Sequence, residues 1–332
     1  MIRVAMISES EMSVKGHGVH TAYIELANAL RRRDDVTLMV NQSRHADIVH
    51  IHTVGPFSLW YLLVARGRKV VSAHIVPASL VGSLVGAKYW LWFARIYLRW
   101  FYNRADLVLA VSDATRDELL ALGVRSRIEI FYNIIDTARY APTGSSRSEA
   151  RRQLGIAQDA WVVVSSGQVQ PRKRIDTFVA IAKACPNMQF IWVGGVPFKN
   201  AAADYGKMKQ LMDHPPVNLR FTGVIPLEQV REYYHAANVF VLASDQETFG
   251  MVVVEAAASG LPVVLRDIHD YDQTFRPDAL FCSEQEFVPT ITCLRTDPVF
   301  YADAVARAAH IAARYDSVAG GQRLVELYRD LL

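Results

Sequence analysis

The sequence predicts an α/β fold made of two doubly wound parallel sheets. Short apolar runs alternate with helical patterns along the whole chain, and the alternation halts once, at residues 140–148 (YAPTGSSRS), before starting again. Apolar runs without polar alternation, separated by helices, read as parallel strands buried on both faces. The 332 residues are also enough for two domains of roughly 150 residues each.

In the first half the strands are RVAMIS, VTLMV, DIVHIHT, KVVSAH, DLVLAVS and IEIFYN, with a helix over residues 21–33 after the first. The Pro, Gly and Ser content of residues 140–148 reads as a linker. In the second half WVVVSSG, FIWVGG, LRFTGV, VFVLAS and PVVLRD read as five strands, and residues 300–332 as two helices broken at Gly320 and Gly321. The expected domains are Rossmann-like: residues 1–143, residues 144–310, and a C-terminal helix, 311–332, crossing back to the first. Ligands of such sheets gather at the carboxyl ends of the strands, where loops and helix N-termini converge, so two such domains are expected to face an interdomain cleft.

With 51% hydrophobic and 21% charged residues the chain is of ordinary globular composition, which excludes disorder. Cys185, Cys282 and Cys293 have no CxxC spacing, so neither a disulfide framework nor a thiolate metal site is expected, and a reducing cytoplasm fits. MIRVAMISES reads as a first strand and not a leader, and no apolar run reaches the ~20 residues of a spanning helix. The expectation is a soluble or peripheral protein. The halves before and after Ala141 carry +5 and −2, so the N-terminal half is the one suited to an anionic surface.

Three segments carry candidate chemistry. After the first strand, Gly16 and Gly18 precede a helix, where glycine lets backbone N–H groups approach a phosphate and the helix dipole adds about half a positive charge. In the second half Arg172, Lys173 and Arg174 follow the strand ending at Gly167, where cations can screen charge building on a leaving diphosphate or simply form a solvated basic turn. In SDQETFGMVVVEAAASGLPVV, Glu247 lies in a loop after VFVLAS, Gly250 and Met251 open a helix, and Glu255 lies within it. A carboxylate in so apolar a stretch needs donors; the vicinal hydroxyls of a ribose are suitable ones, and a structural salt bridge is the alternative.

Glu247, Phe249, Gly250 and Glu255 followed by SGLPVV resemble the paired-glutamate signature of glycosyltransferase family 4. The resemblance continues through FTGVIPLEQVREYYHAANVFVLAS, SGQVQPRKR, the glycine loop, DIVHIHT, SAHIVPAS, DLVLAVS and the NIID turn, and so covers nearly the whole chain. It implies a GT-B fold and a retaining, metal-independent transferase using a nucleotide sugar. Within the family, SAHIVPASLVGSLVGAKYW and VLRDIHDYDQTF look most like the bacterial enzymes that glycosylate diacylglycerol. By likeness, Glu255 holds the donor ribose and Glu247 the hydroxyls of the hexose. Phe249, Gly250 and Met251 present N–H groups, Arg172 and Lys173 neutralise the diphosphate, and Gly18 lets it approach. Val224 meets the base through its main chain, and His74 matches the active-site histidine beside the donor sugar. Two positions depart from the family: Gln168 stands where many members have arginine, and Ala243–Ser244 where Pro-Ser is usual.

What the resemblance implies is transfer of a hexose, with UDP-glucose as the favoured donor, to a lipid such as diacylglycerol at the cytoplasmic face of the membrane. No cofactor, metal or nucleic acid is implied. His50, His52 and His74 invite a metal reading, but His50 and His52 are taken to point to opposite faces of their strand, so no metal site is expected. No general base is evident, so same-face substitution, with the departing phosphate oxygen taking the acceptor proton, is the expected route.

Residues 88–104, KYWLWFARIYLRWFYNR, contain three of the six tryptophans and four cations without an acid. At helical spacing Trp90, Phe93, Tyr97, Trp100 and Phe101 share one face, read as core, and Lys88, Arg95 and Arg99 the opposite one, flanked by Trp92 and Tyr102. The ridge of Lys88, Trp92, Arg95, Arg99 and Tyr102 is the expected contact with anionic lipid. The competing readings are a soluble or polyprenyl-linked sugar acceptor, a UDP-sugar epimerase on the same fold, and a non-catalytic binding module, which the retained Glu247, Glu255, Arg172 and Lys173 disfavour.

Overall fold

The computed structural model describes residues 1–11, 18–42, 44–80, 87–144, 146–196, 205–276 and 278–332, and of residues 11, 87–89 and 205 only the backbone. Gly16, and residues 81–86 of the segment after His74, lie outside the described residues. The described residues form two compact units, one reaching from Met1 to Asp136 and completed by Tyr315–Leu332, the other Thr137–Arg314.

In the first unit, β1 (Ile2–Ile7), β2 (Val36–Val40), β3 (His45–Ile51), β4 (Arg66–Ala73), β5 (Leu107–Ala110) and β6 (Arg127–Ile130) form a parallel sheet in the order β2-β1-β3-β4-β5-β6. All six are the apolar runs read from the sequence. The four residues of β5 are fully buried, as expected of a parallel strand covered on both faces. Helices follow where capping chemistry allows them: Ser112 accepts from the Thr115 N–H to open the helix Asp113–Leu122, and Gly123, at φ +86°, closes it.

In the second unit, β7 (Val162–Ser166), β8 (Gln189–Val193), β9 (Leu219–Phe221), β10 (Val239–Leu242), β11 (Val263–Arg266) and β12 (Leu280–Cys282) form a parallel sheet in the order β12-β11-β10-β7-β8-β9. Five of these are the expected strands. The sixth, β12, is three residues long, too short for its apolar pattern to show any period. The order reverses between β7 and β10, which makes their carboxyl ends the topological switch point of this sheet.

The C-terminal helices differ from expectation. They are Pro298–Arg314 and Ser317–Arg329, separated at Tyr315 and Asp316, and the Asp316 carboxylate caps the second by accepting from the Val318 N–H. Gly320 and Gly321 lie inside that helix. Glycine is kept at 320 by close packing, since a Cβ there would come within 2.3 Å of the Ile134 side chain. Leu324, Val325, Leu327 and Tyr328 enter the core of the first unit beside Tyr23, Leu26 and Leu30. Among the described residues no helix is long and apolar enough to cross a membrane.

Candidate functional site

The carboxyl ends of β7 and β10 bring the basic turn to the acidic loop. After β7 the chain turns at Gly167 (φ +140°), where a Cβ would press on the Lys173 side chain, and makes a short 3-10 turn over Pro171–Lys173. Lys173 Nζ donates to Glu247 Oε1, and Arg172 lies 3.5 Å from Glu247 Oε2. Lys173 and Glu247 are both buried. Arg172 also donates to the Gln246 carbonyl (3.0 Å) and accepts the Asp245 N–H at its own carbonyl (2.9 Å), so turn and loop are laced together by backbone as well as charge. Burial pushes the Glu247 carboxyl up, but Lys173 and Arg172 outweigh it and hold it below its ordinary value. Burial draws the Lys173 ammonium below its ordinary value against the pull of Glu247.

The third cation of the turn has a different task. Arg174, in the left-handed region at φ +49°, pairs with Asp176 (3.0 Å), Asp245 (3.2 Å) and Glu284 (3.2 Å). Its charge is spent on acids, so it anchors the turn, while Arg172 and Lys173 face Glu247. Asp270, which the sequence reading missed, accepts the Glu247 N–H at 2.8 Å, and burial pushes its carboxyl up. The only signal for it was its place in the acid-rich loop after β11. Gln168, the departure from the family pattern, accepts from Gln170 at its Oε1 (2.8 Å), while its buried Nε2 has no hydrogen-bond partner among the described residues.

The helix Met251–Ala258 starts from Gly250, whose φ of +97° favours glycine. Phe249 is buried against Phe275, and Tyr271 and Phe275 would both touch a Cβ at Gly250, so an aromatic floor supports this helix N-terminus. One turn on, buried Glu255 accepts from the Tyr234 hydroxyl (2.9 Å), a partner the sequence reading did not foresee. Val224, 62% exposed, follows Gly223 (φ +70°), and a Cβ on Gly195 would meet the Val224 nitrogen at 2.9 Å. The second unit therefore assembles Arg172, Lys173 and Glu247 in one ion network, with Phe249, Gly250, Met251 and Glu255 on the helix that follows.

Gly18 and His74 belong to the first unit. Gly18 lies at the start of the helix Gly18–Arg31, and a Cβ on it would meet nothing within 4 Å among the described residues. His74, buried just after β4, has its Nε2 3.4 Å from His52 Nδ1. The rings of His50 and His52 lie side by side on one face, tilted by 36° with centroids 4.2 Å apart. This overturns the expectation that they point to opposite faces: side chains alternate with a period of two, so residues i and i+2 share a face. His50 is taken up by Tyr328 (2.6 Å) and Ser72 (2.8 Å), and burial draws its pKa down to about 3.

The helix Ala87–Tyr102 also differs from expectation. Its buried positions are Ala94, Leu98, Phe101 and Tyr102, whereas Trp90, Phe93 and Trp100, expected in the core, are exposed. Tyr102 is no surface residue: its hydroxyl donates to the Ile75 carbonyl at 2.6 Å. Tyr97, half-buried, donates to the Val54 carbonyl. These two phenols and the small Ala94 seat the helix on its narrow side, so the broad indoles turn outward. Trp92 (65% exposed), Phe93 (60%) and Ile96 (59%) stand beside exposed Arg95 and Arg99. Lys88 lies in the same helix, its side chain outside the described residues.

The family model for glycosyl transferases group 1 matches residues 146–288, and that for Glycosyltransferase Family 4 matches residues 39–139. The alpha-galactosylglucosyldiacylglycerol synthase of Streptococcus pneumoniae is 32% identical, over 99% of this chain and 88% of its own. The processive diacylglycerol alpha-glucosyltransferase of Acholeplasma laidlawii is 24% identical, over 81% and 80% respectively. The crystal structure of Anabaena HepE with UDP-glucose superposes with a TM-score of 0.80 at 21% identity, covering both chains completely, a likeness of fold. With these matches and two doubly wound units, the chain belongs to glycosyltransferase family 4 and has the GT-B fold.

Proposed function

We propose that this glycosyltransferase moves a hexose, glucose first among the candidates, from a UDP-sugar to the hydroxyl of a lipid such as diacylglycerol, with retention at the anomeric carbon and without a metal. In this reading Glu255 holds the ribose hydroxyls, Glu247 the hexose hydroxyls, and Val224 the base through its main chain. The N–H groups of Phe249, Gly250 and Met251, the cations Arg172 and Lys173, and Gln168 Nε2 face the diphosphate. In the first unit Gly18 leaves the backbone open to close approach, and neutral His74 is a hydrogen-bonding group for the sugar. The bond from the anomeric carbon to the diphosphate breaks as the acceptor oxygen bonds on the same face, and the acceptor proton passes to the departing phosphate oxygen. Fixed donors aimed at that oxygen lower the barrier because they need no reorganisation when the charge appears.

The lipid acceptor rests above all on the helix Ala87–Tyr102, which turns Trp92, Phe93 and Ile96 outward beside Arg95 and Arg99. Interfacial aromatics with cations of this kind bind anionic bilayers, each cation adding about 1 kcal/mol. The chain then works as a peripheral protein at the cytoplasmic face. A second reading, galactose transfer to an already glucosylated diacylglycerol, is favoured by the name of the Streptococcus pneumoniae relative.

Product analysis tests both readings, with UDP-glucose or UDP-galactose supplied with and without vesicles containing diacylglycerol, glucosyldiacylglycerol and anionic phospholipid. A glycolipid formed only with vesicles is the expected result, and the sugar and acceptor consumed decide between the readings. UDP release or sugar interconversion independent of lipid would overturn the lipid acceptor and favour a soluble acceptor or epimerisation.

A further inference from the structure

A groove of about 770 Å³ opens on the first unit, lined by Leu62, Leu63, Lys69, Ile96, Arg99, Trp100, Asn103 and Arg104. Its walls are the end of the helix Pro56–Val64, strand β4 and the end of the helix Ala87–Tyr102. That volume falls in the range of small-molecule sites. Its apolar lining is exposed at Leu63 (51%) and Ile96 (59%), and the Arg104 guanidinium sits 4.4 Å over the Trp100 ring. Lys69, Arg99 and Arg104 line the groove with no acid, and none of the three pairs with a carboxylate among the described residues. The one acid bonded to this stretch, Asp106, takes the Lys69 N–H and pairs with Arg68.

The walls are held in place. Glu9 accepts the Phe57 and Ser58 N–H groups at the start of the helix Pro56–Val64 (2.6 and 3.1 Å). Asn103 donates to the Arg99 and Gly123 carbonyls (2.9 and 3.2 Å), and the Arg99 guanidinium packs on Gly123. Three cations set against an apolar wall suit a ligand that is anionic at one end and hydrocarbon at the other. A free phosphate would leave the wall bare, and a neutral lipid would leave the cations without a counter-charge.

We propose that this groove is a discrete site for one anionic phospholipid of the bilayer, its phosphate between Lys69, Arg99 and Arg104 and its first acyl carbons along Leu62, Leu63, Ile96 and Trp100. The site deepens the membrane reading of the same helix, but its test needs neither donor nor turnover, so the two fail separately. The probe is short-chain phosphatidylglycerol kept below its aggregation concentration and titrated calorimetrically into the full chain. One saturable site is expected, weakened at least tenfold in Lys69→Gln/Arg104→Gln and at least tenfold weaker for phosphatidylcholine of equal chain length. Arg31→Gln, which removes one exposed charge of the same unit outside both the groove and the helix Ala87–Tyr102, should leave the affinity within twofold. No saturable binding, equal weakening by Arg31→Gln, or inorganic phosphate binding as tightly as the lipid would each overturn the proposal.

Discussion

Lys173 and Glu247, 74 residues apart in the chain, meet as a buried ion pair where the strand order of the second sheet reverses. Removing one member leaves the other charged and poorly solvated, which costs about 3–5 kcal/mol in buried pairs. Lys173→Met should lose about 3 kcal/mol, the lower end of that range, because Arg172 stays beside Glu247. Lys173→Met/Glu247→Leu should lose less than the two single losses added together. Urea unfolding of the three variants checks this, and losses that add to within about 0.5 kcal/mol would show that the pair is not coupled. Turnover at saturating donor should fall at least about 100-fold in Lys173→Met if its ammonium faces the leaving group; unchanged turnover would contradict that role.

The two glutamates should separate binding from chemistry. Glu255→Gln is expected to weaken UDP itself, because a carboxylate accepting from ribose hydroxyls acts on the nucleotide whether or not the sugar is attached. Glu247→Gln should leave UDP affinity within a few fold and lower turnover with the intact donor. Calorimetric titration with UDP, beside initial rates, tests the assignment. Equal loss of UDP affinity in both variants would mean that the roles are not divided in this way.

Membrane contact through the helix Ala87–Tyr102 should depend on the exposed side and not on the buried one. Trp92→Ser/Phe93→Ser is expected to reduce co-sedimentation with anionic vesicles at least about tenfold, with unfolding free energy changed by no more than about 0.5 kcal/mol. Tyr102→Phe, which removes the donor to the Ile75 carbonyl, should do the reverse and cost about 1–3 kcal/mol of stability with vesicle binding intact. If Tyr102→Phe were the variant that released the vesicles, the orientation of this helix would be wrong.

His50 predicts a pH dependence of stability. Its pKa in the fold is about 3 against an ordinary 6.5, so the unfolded chain takes up a proton there that the folded chain refuses. The contribution is fully present above pH 6.5 and is lost as pH falls from 6.5 towards 3. By pH 5 the loss from this group amounts to about 2 kcal/mol, and His52, lowered by the same burial, adds in the same direction. Urea unfolding at pH 7.5 and pH 5 should show a smaller loss in His50→Gln than in the parent chain by about that amount. Equal losses would mean that His50 is not held neutral.

Eleven strands, the basic turn and the spacing of Glu247 and Glu255 were legible because each is a local pattern: an apolar run, a run of cations, or a fixed offset along one helix. What the pattern could not show depends on contacts between distant segments. Asp270 reaches the Glu247 N–H only once β10 and β11 lie side by side, and Tyr234 reaches Glu255 only once the helix Leu227–Ala236 meets the helix Met251–Ala258. Arg174 looks like its two neighbours until Asp245 and Glu284 are brought to it. Helical periodicity placed Phe101 in the core and Arg95 and Arg99 outside it, but it also assigned Trp90, Phe93 and Trp100 to the core, since the side that is buried follows from what it packs against. Gly320 reads as a helix breaker unless Ile134 is known to lie where its side chain would be.

The first unit draws its core from two stretches of chain separated by the whole of the second. During synthesis, residues up to Asp136 therefore leave the ribosome with Leu26, Leu30 and Ile134 uncovered and with His50 lacking Tyr328, and they stay so until Tyr315–Leu332 has been made. The second unit, uninterrupted from Thr137 to Arg314, is free to fold first. The half that bears the exposed indoles and the basic groove is thus the last to be completed. A ribosome stalled before Tyr315 holds a chain whose Lys173–Glu247 pair can already be in place while its other core is still open.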